Sequence, residues 1–199
     1  MIKIISNFQI KKVKEKYNIS GDYILFLSTL KPSKNIEGLL EAFKILGISP
    51  PAGGLELVIA GKKGWMYEAI FEKVKKLNLE QKVIFTDFVA EDEVPGLMAG
   101  AKVFVMPSFW EGFGIPILEA MATGVPTVVS NVGSLPEVVG EAGIVVDPYS
   151  PEDIARGIKE ALDKKDLLVK KGLEQVKKFS WVKCARNTLE VLEKYDRFS

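Results

Sequence analysis

Short apolar runs alternate with amphipathic stretches along most of this chain. The runs are rich in Val, Ile and Leu and lack strict apolar–polar alternation, a pattern typical of strands buried on both faces of a parallel sheet. On this basis we predict strands over residues 23–28, 55–60, 83–85, 102–106, 126–130 and 143–146.

Helical periodicity fills most of the intervals between these strands. Apolar residues at helical spacing predict a short basic helix over 8–17, further helices over 36–46 and 67–77, and three consecutive helices over 152–162, 164–179 and 181–195. The alternation of strand and helix predicts an α/β fold with a doubly wound, mostly parallel six-stranded sheet. We expect the last three helices to pack along one edge, with part of the apolar face of 181–195 left exposed.

The length of 199 residues is that expected for one domain. We predict a single domain over 1–199, in which 1–20 form a linker or helix, 21–150 the α/β core and 151–199 the C-terminal helices. No low-complexity tract or repeat divides it.

Composition narrows the range of functions. The 27 Lys and Arg residues balance 26 Asp and Glu residues, so the total charge does not indicate a nucleic-acid partner. Histidine is absent, which removes the commonest general base and the commonest zinc ligand. The single cysteine, Cys184, is expected to be a buried structural thiol in a reducing compartment. The apolar run Met1–Ile5 is too short for a signal peptide, and no later run has membrane-spanning length, so we expect a soluble, cytoplasmic protein.

Candidate chemistry is concentrated in the loop over residues 107–120. Gly112 and Gly114 flank Phe113, and Pro116 is predicted to be the first residue of a helix. The free backbone amides of such a helix start attract phosphate. Glu111 precedes this helix, and Glu119 is expected in its first turn.

The two glutamates have an ordinary explanation and a functional one. Glu119 could simply complement the helix dipole, while Glu111 could be a solvated loop carboxylate. A nucleotide sugar offers a better reason for both, because it places hydroxyl groups beside a diphosphate and so supplies donors for carboxylates next to an anion site.

Other loops after strands carry weaker signals. Lys34 opens a helix, where the dipole disfavours a lysine unless an anion binds nearby. Gly61 and Gly64 permit close backbone approach after the second strand, although a plain turn would also explain them. Residues 130–137 form another glycine-containing loop that enters a short helix. Neither the dinucleotide-binding glycine fingerprint nor the phosphate loop that ends in Gly-Lys-Ser/Thr is present.

Glu111 and Glu119, with Gly112, Phe113 and Gly114 between them, resemble the Glu-x7-Glu signature of retaining glycosyltransferases of the GT-B architecture, especially glycosyltransferase family 4. Supporting matches follow in order along the chain, at residues 34–35, 40–43, 57–61, 83–85 and 135–139. Residues 61–65 and 131–139 most resemble the mannosyltransferase branch. The resemblance therefore implies the Rossmann-like, donor-binding half of a GT-B fold, with GDP-mannose as the favoured donor.

The resemblance also implies roles for individual residues. Lys34 would bind the donor diphosphate, Glu119 the ribose hydroxyls, and Glu111 would face the transferred sugar, which places Lys34 and Glu111 nearest the chemistry. Further donor-binding positions, near the sugar, the diphosphate or the base, are Phe113, Gly114, Ile115, Gly61, Thr29, Val89 and Glu91. The family often carries an arginine at the position of Thr29 or of Ser33, and neither residue is basic here.

The implied reaction is transfer of a hexose with retention of configuration, with no metal or other cofactor, the leaving phosphate being stabilised by Lys34 and helix amides. The acceptor would bind to an N-terminal domain that this chain lacks, and peripheral membrane contact could come through that half. Two alternatives stay open: a stand-alone subunit of a split transferase that binds sugar nucleotides, and a sugar-nucleotide epimerase or phosphorylase of the same architecture.

Overall fold

The computed structural model describes residues 5–47 and 54–196. Residues 1–4 of the apolar opening run, used above to argue against a signal peptide, therefore lie outside the described part. No helix within the two described ranges is long and apolar enough to cross a membrane.

Six strands form one parallel sheet in the order β3-β2-β1-β4-β5-β6. The chain lays down three strands in one direction, returns to the centre, and continues in the other direction. This confirms the doubly wound α/β fold predicted from the sequence. The strands are β1 (Tyr23–Leu27), β2 (Glu56–Ala60), β3 (Val83–Asp87), β4 (Val103–Met106), β5 (Thr127–Ser130) and β6 (Gly143–Val146).

Helices cover both faces of this sheet. Short 3-10 turns at Pro32–Lys34 and Gly140–Ala142 precede α2 and β6. The helices are α1 (Asn7–Lys16), α2 (Ile36–Ile45), α3 (Glu68–Lys76), α4 (Val94–Ala99), α5 (Ile115–Ala122), α6 (Leu135–Val139), α7 (Pro151–Asp163), α8 (Lys165–Val176) and α9 (Trp181–Asp196).

Alternate residues of the central strand β1 pack on opposite faces of the sheet. Ile24 and Phe26 belong to the apolar cluster that includes α2, α3 and α7, whereas Tyr23 and Leu25 belong to the cluster that includes α1, α4, α5 and α6. Complete burial of such a side chain stabilises the fold by roughly 1.5–3 kcal/mol. Burial on both faces explains why the strands are apolar throughout instead of alternating.

The C-terminal helices behave in two ways. α7 packs against α2 and β6 on one face, and α8 packs against α5 and the 3-10 turn before β6 on the other. The side chains described along α9 are all exposed, so the prediction that three helices pack along one edge is wrong for the third. The expected exposure of its apolar face is confirmed, with Leu192 exposed at 62%.

Cys184 lies on α9 and is exposed, so the prediction of a buried thiol is wrong. The sequence places this residue in an amphipathic helix, and a cysteine there is ordinarily buried. The described residues offer this helix no surface to pack against, and helical periodicity alone does not reveal that.

Candidate functional site

The candidate site lies where the strand order reverses. β1 and β4 are neighbours in the sheet, while the chain after β1 leaves toward β2 and the chain after β4 leaves toward β5. The loops beyond their carboxyl ends therefore diverge and leave a crevice, which is where open α/β sheets bind ligands.

The loop after β1 carries Lys34 at the end of the 3-10 turn. Lys34 is 7% exposed, which is unusual for a lysine. It does not open α2, as the sequence suggested, because α2 begins at Ile36 after an N-cap at Asn35.

The buried Lys34 is paired with a carboxylate. Its ammonium group donates to Oε2 of Glu111 from the loop after β4. The Ser108 hydroxyl also donates to that oxygen, at 3.3 Å. The pairing offsets the desolvation of both charges and brings together two residues singled out from the sequence.

The side chain of Asn35 connects three segments of the chain beside the Lys34–Glu111 pair. Its backbone is left-handed, with φ 53°, and its side-chain oxygen caps α2 by accepting from the amide of Gly38 at 3.2 Å. Its side-chain nitrogen donates to the carbonyls of Pro107 and Pro148, at 3.0 and 2.6 Å. One buried side chain thus joins the loops after β1, β4 and β6.

The loop after β4 then enters α5. Gly114 is the N-cap in a left-handed conformation, with φ 77°, and Pro116 is the second helical residue. The left-handed φ favours glycine there, and a Cβ would also lie 2.8 Å from the side-chain ends of Ile117 and Leu135. Pro116 has no amide hydrogen, and the amide of Ile117 donates to the carbonyl of Gly114 at 2.9 Å. The amide of Ile115 therefore remains at the helix start, after the loop amides of Phe113 and Gly114, to bind an anion.

Glu119 lies one turn further along α5. The expectation that it occupies the first turn is wrong, because the helix starts at Ile115 and its first turn contains no acidic residue. The side chain is exposed, yet the protein atoms beside its carboxyl remove enough water to raise the pKa of that carboxyl above the ordinary value. A carboxylate held in this way gains from a ligand hydroxyl that donates to it.

The loop after β5 donates hydrogen bonds to the loop that carries Glu111. The Ser130 hydroxyl donates to the carbonyl of Ser108 at 2.6 Å, and the Ser134 hydroxyl donates to the carbonyl of Gly112. Gly133 is left-handed, and a Cβ there would lie 2.5 Å from the carbonyl oxygen of Glu111. This glycine-containing loop therefore contacts the Glu111 backbone, an arrangement that the sequence did not indicate.

The loops after β1 and β2 meet beside the crevice. Gly61 has φ 140°, and a Cβ there would lie 1.9 Å from the carbonyl oxygen of Ser28, so its glycine is explained by contact with the chain itself. Thr29 follows Ser28 and is exposed. A cavity of about 150 Å³ opens between these loops and β3, lined by Leu30, Gly61, Lys63, Phe71, Phe85 and Asp87.

The remaining sequence candidates occupy different surroundings. Phe113 and Ile115 are exposed at the start of α5, and Glu91 is exposed after β3. Val89 is 6% exposed and belongs to the core, so any ligand contact it makes must come from its backbone.

A larger concavity, of about 730 Å³, lies elsewhere. Asn7, Lys14 and Ser20 are among its lining residues, which come from α1 and the turn before β1. It therefore lies at the amino end of β1, opposite the crevice. Its lining residues do not include Lys34, Glu111 or Glu119. Across residues 5–47 and 54–196, no group of three His, Cys, Asp or Glu side chains is placed to hold a metal ion.

Comparisons with known proteins identify the family and the fold of this chain. Residues 7–178 match the family model described as "Glycosyl transferases group 1". O-antigen chain mannosyltransferase B of Escherichia coli is 40% identical over 181 residues, which cover 89% of this chain and 47% of that protein. The E. coli serotype-specific mannosyltransferase WbdA is 36% identical over 190 residues, covering 92% of this chain and 23% of that protein.

Solved structures show the same fold. Anabaena HepE, crystallised with UDP and glucose, superimposes with a TM-score of 0.84 at 23% identity, over 96% of this chain and 54% of that one. The C-terminal domain of a group 1 family protein from Francisella tularensis superimposes with a TM-score of 0.75 at 23% identity, over 89% of this chain and 95% of that one. The chain thus spans about half the length, or less, of the curated relatives cited here.

Proposed function

Because this chain belongs to the glycosyl transferases of group 1, we propose that it is the donor-binding part of a retaining hexosyltransferase whose donor is GDP-mannose. The observation that carries the proposal is the pairing of Lys34 with Glu111 at the carboxyl ends of β1 and β4, beside the amino end of α5. One cation, one carboxylate and the amides of Gly114 and Ile115 there match a diphosphate esterified to a sugar.

The proposed roles follow the positions of the groups. Lys34 and the amides of Gly114 and Ile115 bind the diphosphate and stabilise the charge on the leaving phosphate, so that no metal is needed. Glu111 accepts from hydroxyls of the transferred sugar, and Glu119 accepts from the ribose.

The neighbouring loops complete the donor site. Gly61 and Thr29 lie beside the diphosphate, the backbone of Val89 and the side chain of Glu91 lie near the base, and Phe113, Gly114 and Ile115 border the sugar. This distribution supports a donor that extends from β3 toward α5 across the carboxyl edge of the sheet.

Mannose is favoured by the relatives, since both E. coli proteins are named mannosyltransferases. Those proteins are at least twice as long as the match. We therefore infer that an acceptor-binding domain outside this chain completes the enzyme, and that the chain alone binds donor but transfers sugar slowly or not at all.

Calorimetric titration tests this proposal directly. GDP-mannose, UDP-glucose, ADP-glucose and the three free diphosphates are titrated into the chain with and without magnesium. We expect binding that favours guanine and does not depend on magnesium. Absence of binding by every nucleotide would contradict the proposal, and preference for another base would change the donor.

A lysine variant locates the site in the same experiment. Lys34→Ala removes a charge-assisted contact to phosphate, which is worth about 1.5–3 kcal/mol, or roughly 10–100-fold in affinity. Lys44→Ala is the matched control, because Lys44 is exposed in the last turn of α2. Equal affinities for the two variants would place the diphosphate elsewhere.

A further inference from the structure

The ammonium group of Lys34 is already bound by a carboxylate of the protein. Lys34 donates to Glu111, and the side chains of the two residues are only 9% and 16% exposed. Water therefore does little to weaken their attraction. Any phosphate that takes Lys34 must compete with Glu111 for the same cation.

Glu111 is held in place while this competition occurs. Ser108 donates to Glu111 Oε2 at 3.3 Å, and the amide of Phe109 donates to the carbonyl of Ser33 at 3.0 Å, which joins the two loops directly. Gly133 packs against the Glu111 carbonyl from the other side. The Glu111 carboxylate therefore stays close to a phosphate that replaces it as the partner of Lys34. It then needs another hydrogen-bond donor.

We propose that Glu111 makes this site select the nucleotide sugar over the free nucleoside diphosphate that remains after transfer. A sugar attached to the diphosphate supplies hydroxyl donors to Glu111 when Lys34 turns to the phosphates. A free diphosphate supplies none, and it leaves Glu111 as an uncompensated carboxylate beside additional negative charge. This inference rests on the proposed function and assigns to Glu111 a role in specificity and product release.

The charges of the two ligands enlarge the difference. A terminal phosphate has a second pKa near 6 and so carries extra negative charge at neutral pH, which the esterified phosphate of a nucleotide sugar lacks. Other cations on neighbouring loops, Lys31, Lys62 and Lys63, are more exposed than Lys34, and Lys62 and Lys63 lie over aromatic rings. Lys34 is therefore the cation for which the free diphosphate and Glu111 compete.

Glu111→Gln tests the proposal because it keeps the shape and removes the charge. We expect about tenfold tighter binding of GDP, since Lys34 is released and the repulsion disappears. GDP-mannose binding should stay the same or weaken, because a neutral amide is a poorer acceptor for sugar hydroxyls. The preference for GDP-mannose over GDP should thus fall by about tenfold or more.

Two further variants separate this role from a purely structural one. Glu72→Gln, an exposed glutamate on α3, should change neither affinity. In the Lys34→Ala background, Glu111→Gln should improve GDP binding by a smaller factor, because competition for the lysine is gone. A gain of the same size in both backgrounds would overturn the proposal.

The outcomes for the two proposals differ. If the unaltered chain binds GDP and Glu111→Gln binds it no more tightly, the role of Glu111 is overturned while donor binding stands. If thermal unfolding shows both proteins folded and neither binds any nucleotide, the proposed function fails and this inference fails with it.

Discussion

At the scale of single residues, Glu119 shows how a binding group can weaken the fold that carries it. Its pKa is raised by burial from an ordinary 4.5, so the folded state binds its proton more tightly than the unfolded state does. The contribution of Glu119 to the free energy of unfolding therefore falls as pH rises from the ordinary pKa through the raised one. At neutral pH the ionised carboxyl therefore contributes slightly less to stability than the protonated carboxyl does at low pH.

Glu119→Gln should accordingly raise the melting temperature slightly at pH 7, by about 1–2 °C, and by less at pH 4. The same change should weaken GDP binding by roughly tenfold, because a ribose hydroxyl loses a charged acceptor. Thermal melts at the two pH values and calorimetry check both effects. A lower melting temperature at pH 7 together with unchanged affinity would contradict this account, and Glu137→Gln, exposed on α6, is the control.

Residue identity alone predicted part of the site. Lys34 and Glu111 were singled out from their motifs, but their ion pair joins positions 77 residues apart and depends on β1 lying beside β4. The sequence motifs included Asn35 only as the neighbour of Lys34. Its partners are backbone carbonyls, which leave no trace in the sequence. The only available signal was the residue type, because asparagine adopts the left-handed conformation seen here more readily than most residues.

At the scale of elements, the strands were predicted closely and the loop contacts were not. Strand β6 was expected at 143–146 and lies at Gly143–Val146, because buried strands consist of continuous apolar residues. The position of Glu119 on α5 was missed by one residue, because the helix starts at Ile115 and not at Pro116, which moves Glu119 from the end of the first turn to the start of the second. Apolar patterns locate strands well, but caps define helix ends only within a few residues.

Asn35 is the connection between elements that we expect to matter most. Asn35→Gly keeps the left-handed backbone, yet leaves the buried carbonyls of Pro107 and Pro148 without their donor, and should cost about 2–3 kcal/mol of unfolding free energy. Asn35→Asp keeps the cap on α2 but sets a carboxylate against two carbonyls, and should be less stable at pH 7 than at pH 5.

Denaturant unfolding at both pH values measures these changes. Asn78→Gly is the matched control, since Asn78 is also left-handed, with φ 55°, but is exposed. We expect it to change stability by no more than about 0.5 kcal/mol. If Asn35→Gly were equally mild, the three loops would be held together by other contacts.

At the scale of the whole molecule, α9 lies apart from the rest of the described fold. Its side chains are exposed along the described length, whereas α8 buries Leu168 and Gln175. An isolated helix of this length is marginal in water. Stability should therefore come from residues that precede α9, and its apolar side chains should promote self-association.

Truncation after Ser180 should leave the melting temperature within about 2 °C of the full chain and reduce concentration-dependent association. Differential scanning calorimetry and light scattering over a concentration series measure the two effects. A drop of many degrees would show that α9 contributes to the core. Truncation after Asp163 is the contrasting variant, because it removes α8 and uncovers Met121 against Gly172.

The hydrogen bonds of Asn35 join residues that are far apart in the sequence, and this separation determines when during folding the site can form. Its two bonds to carbonyls span 72 and 113 residues, so they close only after β1, β4 and β6 have joined the same sheet. Contacts so distant in sequence pay a high loop-closure entropy and tend to form late in folding. A nucleotide that needs these loops in place would bind only the finished sheet, and would protect it by slowing its unfolding rather than by hastening its formation.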